Sequence, residues 1–235
     1  MPKPKKRTIP DKKRLRMLLD AEKKHPKHIS LKKQSPLPIL DRFLVKNLAP
    51  GKSAESEIRR ILKFKRKARV FEICPGQAQA LTELKLMFGD RIHTIAIDKE
   101  VPQAKATIDE FRKGEVLEFE FPKNCDLIFS LRSLGFVGSP EVIVEKAIKS
   151  LAPGGVAYLD FPIRSGWGAS NFGFWDRKFL DEMVERRKYK GMAVKGKLFK
   201  DRRTALSGSP GNQKEIVIET PLTYQLRLSK PAKRK

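Results

Sequence analysis

The sequence predicts an α/β fold, a mostly parallel, doubly wound sheet with basic extensions at both ends. Three observations carry this. Val70-Phe71-Glu72-Ile73-Cys74 and Thr94-Ile95-Ala96-Ile97 are near-continuous apolar runs, the pattern of parallel strands covered on both faces. A Pro75-Gly76 turn and a helical segment reaching Gly89 lie between them, completing a β-α-β unit. Further strand-like and helical segments then alternate to the end of the chain, as a parallel sheet requires.

Taken in order, residues 1–35 hold thirteen Lys and Arg against three Asp and Glu, with prolines at 2, 4, 10 and 26. Such a composition has too little apolar area to offset ordering entropy, so a disordered arm is expected. One helix is expected after Pro10, capped by Asp11, with Leu15, Leu18 and Leu19 on one face. The arm is either a solvated extension or a segment that orders on a phosphate backbone; the overall charge favours the second. Residues 36–67 form a lead-in to the domain. Leu37, Ile39, Leu40, Phe43, Leu44, Val45 and Leu48 provide a docking surface, and a helix over 54–64 has Ser53 as its cap. Its exposed side and the following turn carry Arg59, Arg60, Lys63, Lys65, Arg66 and Lys67. These precede the first strand and so are expected at its amino end, away from the pocket, gripping backbone rather than a target base.

Beyond Asp98 the pattern predicts a helix over 102–112, a third strand over 116–121 and a fourth over 125–130. A helix over 140–150, a fifth strand over 156–161 and a helix over 176–188 follow. Strand-like runs at 192–199 and 215–219 come next, with 222–228 adding or extending a strand. The domain is expected to span 36–229, and 230–235 forms a basic tail.

Charge is the outlier in the composition: 51 Lys and Arg against 27 Asp and Glu, a net charge of +24. A field of that sign attracts polyanions, with RNA the first candidate and an anionic membrane surface the second. No apolar run approaches the roughly 20 residues that span a bilayer. The N-terminus has neither the apolar stretch nor the cleavage site of a secretory signal. Cys74 and Cys125 lie in or beside strands without metal-ligand spacing, and the histidines stand without partner ligands, so no metal site is expected. Unpaired cysteines and the absence of a signal point to a reducing, intracellular and cytoplasmic setting. Oligomeric state is not legible in the sequence.

The Glu72-Ile73-Cys74-Pro75-Gly76-Gln77-Ala78 turn resembles the first motif of the class I, Rossmann-like S-adenosylmethionine-dependent methyltransferases, which carries an acid, an apolar residue and three spaced glycines. Only the middle glycine, Gly76, is kept; the small residues Cys74 and Ala78 take the flanking places. The dinucleotide fingerprint of three glycines, G-x-G-x-x-G, is absent. Gly114-Glu115-Val116 is similar to the family's segment around its third strand. Phe121-Pro122-Lys123-Asn124-Cys125-Asp126-Leu127-Ile128-Phe129-Ser130 is similar to its fourth strand, and Pro153-Gly154-Gly155 to the turn into its fifth.

The resemblance implies S-adenosylmethionine as cofactor, held around Glu72, Cys74, Gly76, Ala78, Asp98, Glu115, Val116 and Ser130. Asp98, 22 residues beyond Gly76, stands where an acid accepts from a ribose diol, or else caps the next helix. Glu115 accepts from the adenine amine or faces solvent as a strand residue. Glu72 orients the methionine amine or braces the loop.

No catalytic residue is assigned. The Asn/Asp-Pro-Pro-aromatic run that the family uses for base amines is replaced by Ser130-Leu131-Arg132-Ser133-Leu134. The loop carrying Trp167 and Trp175 is either a platform on which bases stack or a set of aromatics packed on the sheet. Lys5, Lys6, Arg7, Lys12, Lys13 and Arg14 of the arm, with Arg59, Arg60 and Lys63, complete the expected RNA contacts. Two main functions stay open: a methyltransferase acting on ribosomal or transfer RNA, and a catalytically inactive protein of the same fold that binds RNA as a ribonucleoprotein component or assembly factor. A third, a small-molecule methyltransferase, resembles residues 130–137 better but leaves the charge unexplained.

Overall fold

The computed structural model describes residues 40, 44–102, 105, 107–131, 133–134, 139–162, 177–199, 202–207, 214–219 and 223–232, all within the compact unit Pro36–Lys235. After a helical turn at Lys46–Leu48, helix α1 spans Ala54–Leu62. Ser53 Oγ accepts from the Ser56 N–H at 3.0 Å and Ser56 Oγ from the Ser53 N–H at 2.8 Å, a reciprocal cap that satisfies two orphan donors. Strand β1 (Ala68–Ile73), helix α2 (Gln79–Phe88) and strand β2 (Ile92–Asp98) form the expected β-α-β unit. Strands β3 (Glu110–Lys113) and β4 (Cys125–Phe129), helix α3 (Pro140–Ser150) and strand β5 (Leu151–Pro162) follow. The remainder is helix α4 (Arg177–Glu185), β6 (Lys188–Tyr189), β7 (Met192–Phe199), β8 (Arg202–Ser207), β9 (Lys214–Glu219) and β10 (Thr223–Ser229).

Eight strands form one sheet in the order β3-β2-β1-β4-β5-β10-β7-β6. The first five are mutually parallel. Strand β10 runs antiparallel to both β5 and β7, and β6 antiparallel to β7. Side chains alternate between two cores, as strand geometry dictates. Phe71 and Ile73 of β1 join one core with Ile143, Val144 and Ala147 of α3 and Leu180 and Met183 of α4. Ala68 and Val70 face the other, with Ile58 and Ile61 of α1, Leu81 and Leu84 of α2, and Leu40, Leu44 and Val45 of the lead-in. Helices therefore cover both faces, and Leu40, Leu44, Val45 and Leu48 of the lead-in pack in the second core, while Leu37, Ile39 and Phe43 lie outside the described residues.

Two expectations need correction. The third strand is Glu110–Lys113, not 116–121, so the end of the helix expected over 102–112 is sheet instead. Asp109 sets this placement. Its Oδ2 accepts from the Thr94 N–H at 2.8 Å and the Thr94 hydroxyl at 3.0 Å, and Lys85 Nζ lies 2.8 Å from it. The next residues are thereby laid along the edge of β2. The edge strand carries Glu110, Arg112 and Lys113, charges that discourage further pairing and also hide the strand from an apolar reading. Val116 and Phe121 are buried instead from a turn region, with the Phe121 ring edge-on to Phe71 at 5.1 Å. Secondly, residues 214–219 do not enter the main sheet; β9 pairs with β8 in a separate two-stranded ribbon. The closing pair of the main sheet is β7 with the reversed β10.

Candidate functional site

Chain order reverses direction across the sheet between β1 and β4, and the crevice at such a switch point, beyond the carboxyl ends of the strands, is where open α/β sheets bind ligands. The β1–α2 turn lies there. Cys74, Gly76 and Ala78 all have positive φ, 52°, 56° and 56°. These are the three positions at which the family motif has glycine. The backbone therefore keeps the glycine conformation at all three, although a left-handed residue with a Cβ costs roughly 1–2 kcal/mol. The turn is closed by the Ala78 N–H donating to Pro75 O at 2.9 Å, and Cys74 N–H donates to Ile97 O at 2.9 Å. A Cβ placed on Gly76 would meet nothing within 4 Å, so the space above this backbone is open.

Asp98 ends β2 directly opposite this turn. Its Oδ2 accepts from the Gly76 N–H at 3.0 Å and its Oδ1 from the Glu100 N–H at 3.2 Å. Two of roughly four lone-pair sites on the carboxylate are thus engaged, and two are left for another donor. Glu72 is buried beneath the turn. Its side chain accepts from the Leu81 N–H in the first turn of α2, while Oε2 has no partner. Burial pushes its carboxyl well above the usual carboxylate value, the Leu81 N–H pulls it back, and the Asp98 charge raises it again. Glu72 therefore keeps its proton to a higher pH than a free carboxyl does, and it carries an unmet polar atom. Burial, with the charges of Asp98 and Glu115, pushes the Cys74 thiol up to about 12. It stays protonated and is no nucleophile at neutral pH.

Glu115 follows β3 and is half-exposed, paired with Lys99 at 2.5 Å. It stands in a loop rather than on a strand, and Val116 beside it is buried. Ser130 at the end of β4 is fully buried. Its hydroxyl is shared between Ile73 O at 3.0 Å and Ser133 Oγ at 2.9 Å. Ser130 therefore fastens β4 to the end of β1. The turn, Asp98, Glu115 and Ser130 share the carboxyl edge of β1–β4. Lys99 as partner of Glu115 and Glu72 as a cap for α2 had no sequence signal beyond the local acid and base.

Arg59 and Arg60 are occupied within the protein. Arg59 pairs with Glu55 at 2.6 Å and lies over the Phe88 ring. Arg60 donates to Glu57 at 2.9 Å and to Gly154 O at 3.0 Å. Glu57 is buried and also accepts from the Tyr158 hydroxyl at 3.1 Å, with Arg227 at 3.7 Å. This network locks α1 to β5 and β10, and nothing in the spacing of Glu57, Tyr158 and Arg227 announces it. Lys63 is exposed. Lys5, Lys6, Arg7, Lys12, Lys13, Arg14, Trp167 and Trp175 lie outside the described residues. Among the described residues no group of His, Cys, Asp and Glu is arranged to hold a metal, and no helix is long and apolar enough to cross a membrane.

The five parallel strands, the switch point over the turn and the reversed β10 between β5 and β7 give the chain a Rossmann-like, doubly wound α/β fold. No protein-family model matches the sequence, and no curated protein matches it. Solved structures similar to it include an S-adenosylmethionine-dependent methyltransferase of Thermotoga maritima, 19% identical over 75% of this chain and 88% of that one, TM-score 0.40. A Bacillus halodurans protein assigned as a methyltransferase is 11% identical over 76% and 99%, TM-score 0.47. A phosphoethanolamine N-methyltransferase of Haemonchus contortus, solved with S-adenosyl-L-methionine, is 12% identical over 61% and 39%, TM-score 0.41. At those values the likenesses carry no argument of their own, and the fold rests on strand order and direction.

Proposed function

We propose that the protein is an S-adenosylmethionine-dependent methyltransferase acting on RNA, of the ribosomal or transfer class. The observation that carries the cofactor is the β1–α2 turn, which holds positive φ at Cys74, Gly76 and Ala78 with open space over Gly76. The residues fit the group. The unpartnered Oε2 of Glu72 suits the methionine ammonium, and the free lone pairs of Asp98 suit a ribose diol. Glu115 and Val116 take the adenine in this reading. When bound, the cofactor supplies an electrophilic methyl on a sulfonium. The protein's part is then to orient that methyl in line with the acceptor and exclude water.

RNA follows from charge. The net charge of +24 attracts a polyanion, and residues 1–35 and 230–235 are strongly basic in composition. Trp167 and Trp175 supply planes for unstacked bases in this reading. A second reading, a catalytically inactive RNA-binding protein of the same fold, is favoured by two observations. Two of the three glycine positions carry side chains, and the Ser130 hydroxyl is spent on Ile73 O.

Calorimetric titration with S-adenosylmethionine and S-adenosylhomocysteine separates the two. The enzyme reading expects both to bind and raise the melting temperature by mass action, equivalent to about 2.7 kcal/mol at a hundredfold excess over Kd. Asp98→Asn, which keeps one acceptor oxygen, should weaken binding while the fold persists. A folded protein that shows no heat and no thermal shift at millimolar cofactor leaves the binding protein as the function.

A further inference from the structure

We propose that the surface at the amino ends of β1 and β2, centred on Phe64, is a second RNA contact, one that stacks an unpaired base of a single-stranded segment. Phe64 is 83% exposed, the most exposed large apolar side chain among the described residues. Together with Leu62, Lys63, Lys65, Arg66 and Arg91 it lines an open depression of about 480 Å³. No acid lines it. Lys65 is taken up by the buried Asp126, at 2.5 Å, whose other oxygen accepts from the Arg69 N–H at 2.9 Å. Lys63, Arg66, Lys67 and Arg91 have no acidic partner among the described residues. Lys67 and Arg91 immediately precede Ala68 and Ile92, which are paired across the two strands, so these two cations start adjacent strands side by side.

The exposure of Phe64 is built in. The turn carrying it is closed by Lys63 N–H to Arg60 O at 3.3 Å, Phe64 N–H to Ile61 O at 3.0 Å and Lys65 N–H to Ile61 O at 3.1 Å. Asp126 then pins the far side of the turn through Lys65 and Arg69. The ring is thus held outward on a braced turn instead of folding back onto Leu62. An aromatic plane beside cations that have no acidic partner among the described residues matches a base with its flanking phosphates, because every base has a stackable face and the backbone brings the charge. It matches a second copy of this strongly basic chain poorly, because like charges would meet. The patch lies at the opposite strand ends from the β1–α2 turn, so it would hold RNA at a distance from the reacting base. It rests on the RNA reading above but not on catalysis.

The test uses the full chain and a short labelled oligouridylate, with affinity read by fluorescence anisotropy across a salt series. Phe64→Ala should weaken binding about fivefold to a hundredfold, Phe64→Leu should fail to restore it, and Phe64→Trp should restore it. Arg66→Gln with Lys67→Gln should flatten the slope of log K against log salt by about 0.7 for each phosphate no longer neutralised. S-adenosylmethionine titrations of the same variants should match the parent chain, so loss of cofactor binding in the parent sinks the enzyme while leaving this contact standing. Unchanged RNA affinity and salt slope in all variants, with parental melting temperatures, overturn the proposal. So does a dimer in sedimentation that Phe64→Ala dissociates while RNA affinity stays the same, since the surface then joins protein to protein.

Discussion

Glu72 concentrates the chemistry of the site in one side chain. Its carboxyl is raised above the ordinary 4.5 by burial, so on unfolding it becomes the stronger acid. Between that ordinary value and its folded value the unfolded state has released the proton and the folded state has not. Stability must therefore fall as pH rises through this window. Glu72→Gln keeps an acceptor for the Leu81 N–H and removes the titration, so its melting temperature relative to the parent should climb steadily above pH 4.5. Parallel pH profiles of the two proteins would show instead that Glu72 titrates alike in both states. A bound ammonium beside Oε2 would favour the ionised form, so cofactor binding within this window should release a proton. Calorimetry in buffers of different ionisation enthalpy measures that release, and Glu72→Gln should lose it. At this scale the sequence was partly legible. Gly76 and Asp98 stood out from their spacing and meet at 3.0 Å. That Ser130 and Arg60 turn inward was not legible, since hydrogen-bond partners 57 and 94 residues away leave no local pattern.

Elements follow the same division between local and distant causes. Helices α2 and α3, and strands β1, β2, β4, β7 and β10, were readable because each carries its own periodicity and its own cap or turn. Strand β3 was not, because an edge strand of Glu110, Phe111, Arg112 and Lys113 has no apolar run and is placed by Asp109 reaching back to Thr94. The separate β8–β9 ribbon was equally hidden, since 215–219 has strand chemistry whichever partner it finds. The contact between α4 and β7 is set by a residue without a side chain. A Cβ at Gly196 would lie 2.2 Å from Val184 Cγ2 and 2.9 Å from the Tyr224 ring. Gly196→Ala should therefore destabilise the protein by about 1–3 kcal/mol through overpacking, read as a lower denaturant midpoint. Adding Val184→Ala should recover part of the loss, and strict additivity of the two changes would mean that the helix does not bear on this glycine. The β1–α2 turn gives the opposite case. Gly76→Ala meets no neighbour, so its cost should be the left-handed backbone alone, about 1–2 kcal/mol.

For the whole molecule the decisive quantity is the distribution of charge. The net charge is +24, of which residues 1–35 supply +10, so the remaining chain still carries +14. An arm of that composition gains affinity for RNA by releasing the counterions of the phosphates it neutralises. The logarithm of the association constant then falls with the logarithm of salt by about 0.7 to 0.9 for each phosphate contacted. Removing residues 1–35 should flatten that slope by several units and weaken binding most at low salt. Residues 1–35 offer too little apolar area to add to a core, so cofactor affinity and the melting temperature should change little. The slope that persists after truncation measures the body of the protein. Adding Arg66→Gln and Lys67→Gln to the truncated chain should lower it again, because arm and body contribute separate phosphate contacts. An unchanged slope on truncation would reduce the arm to a solvated extension, and a truncated chain that unfolds would make it part of the fold.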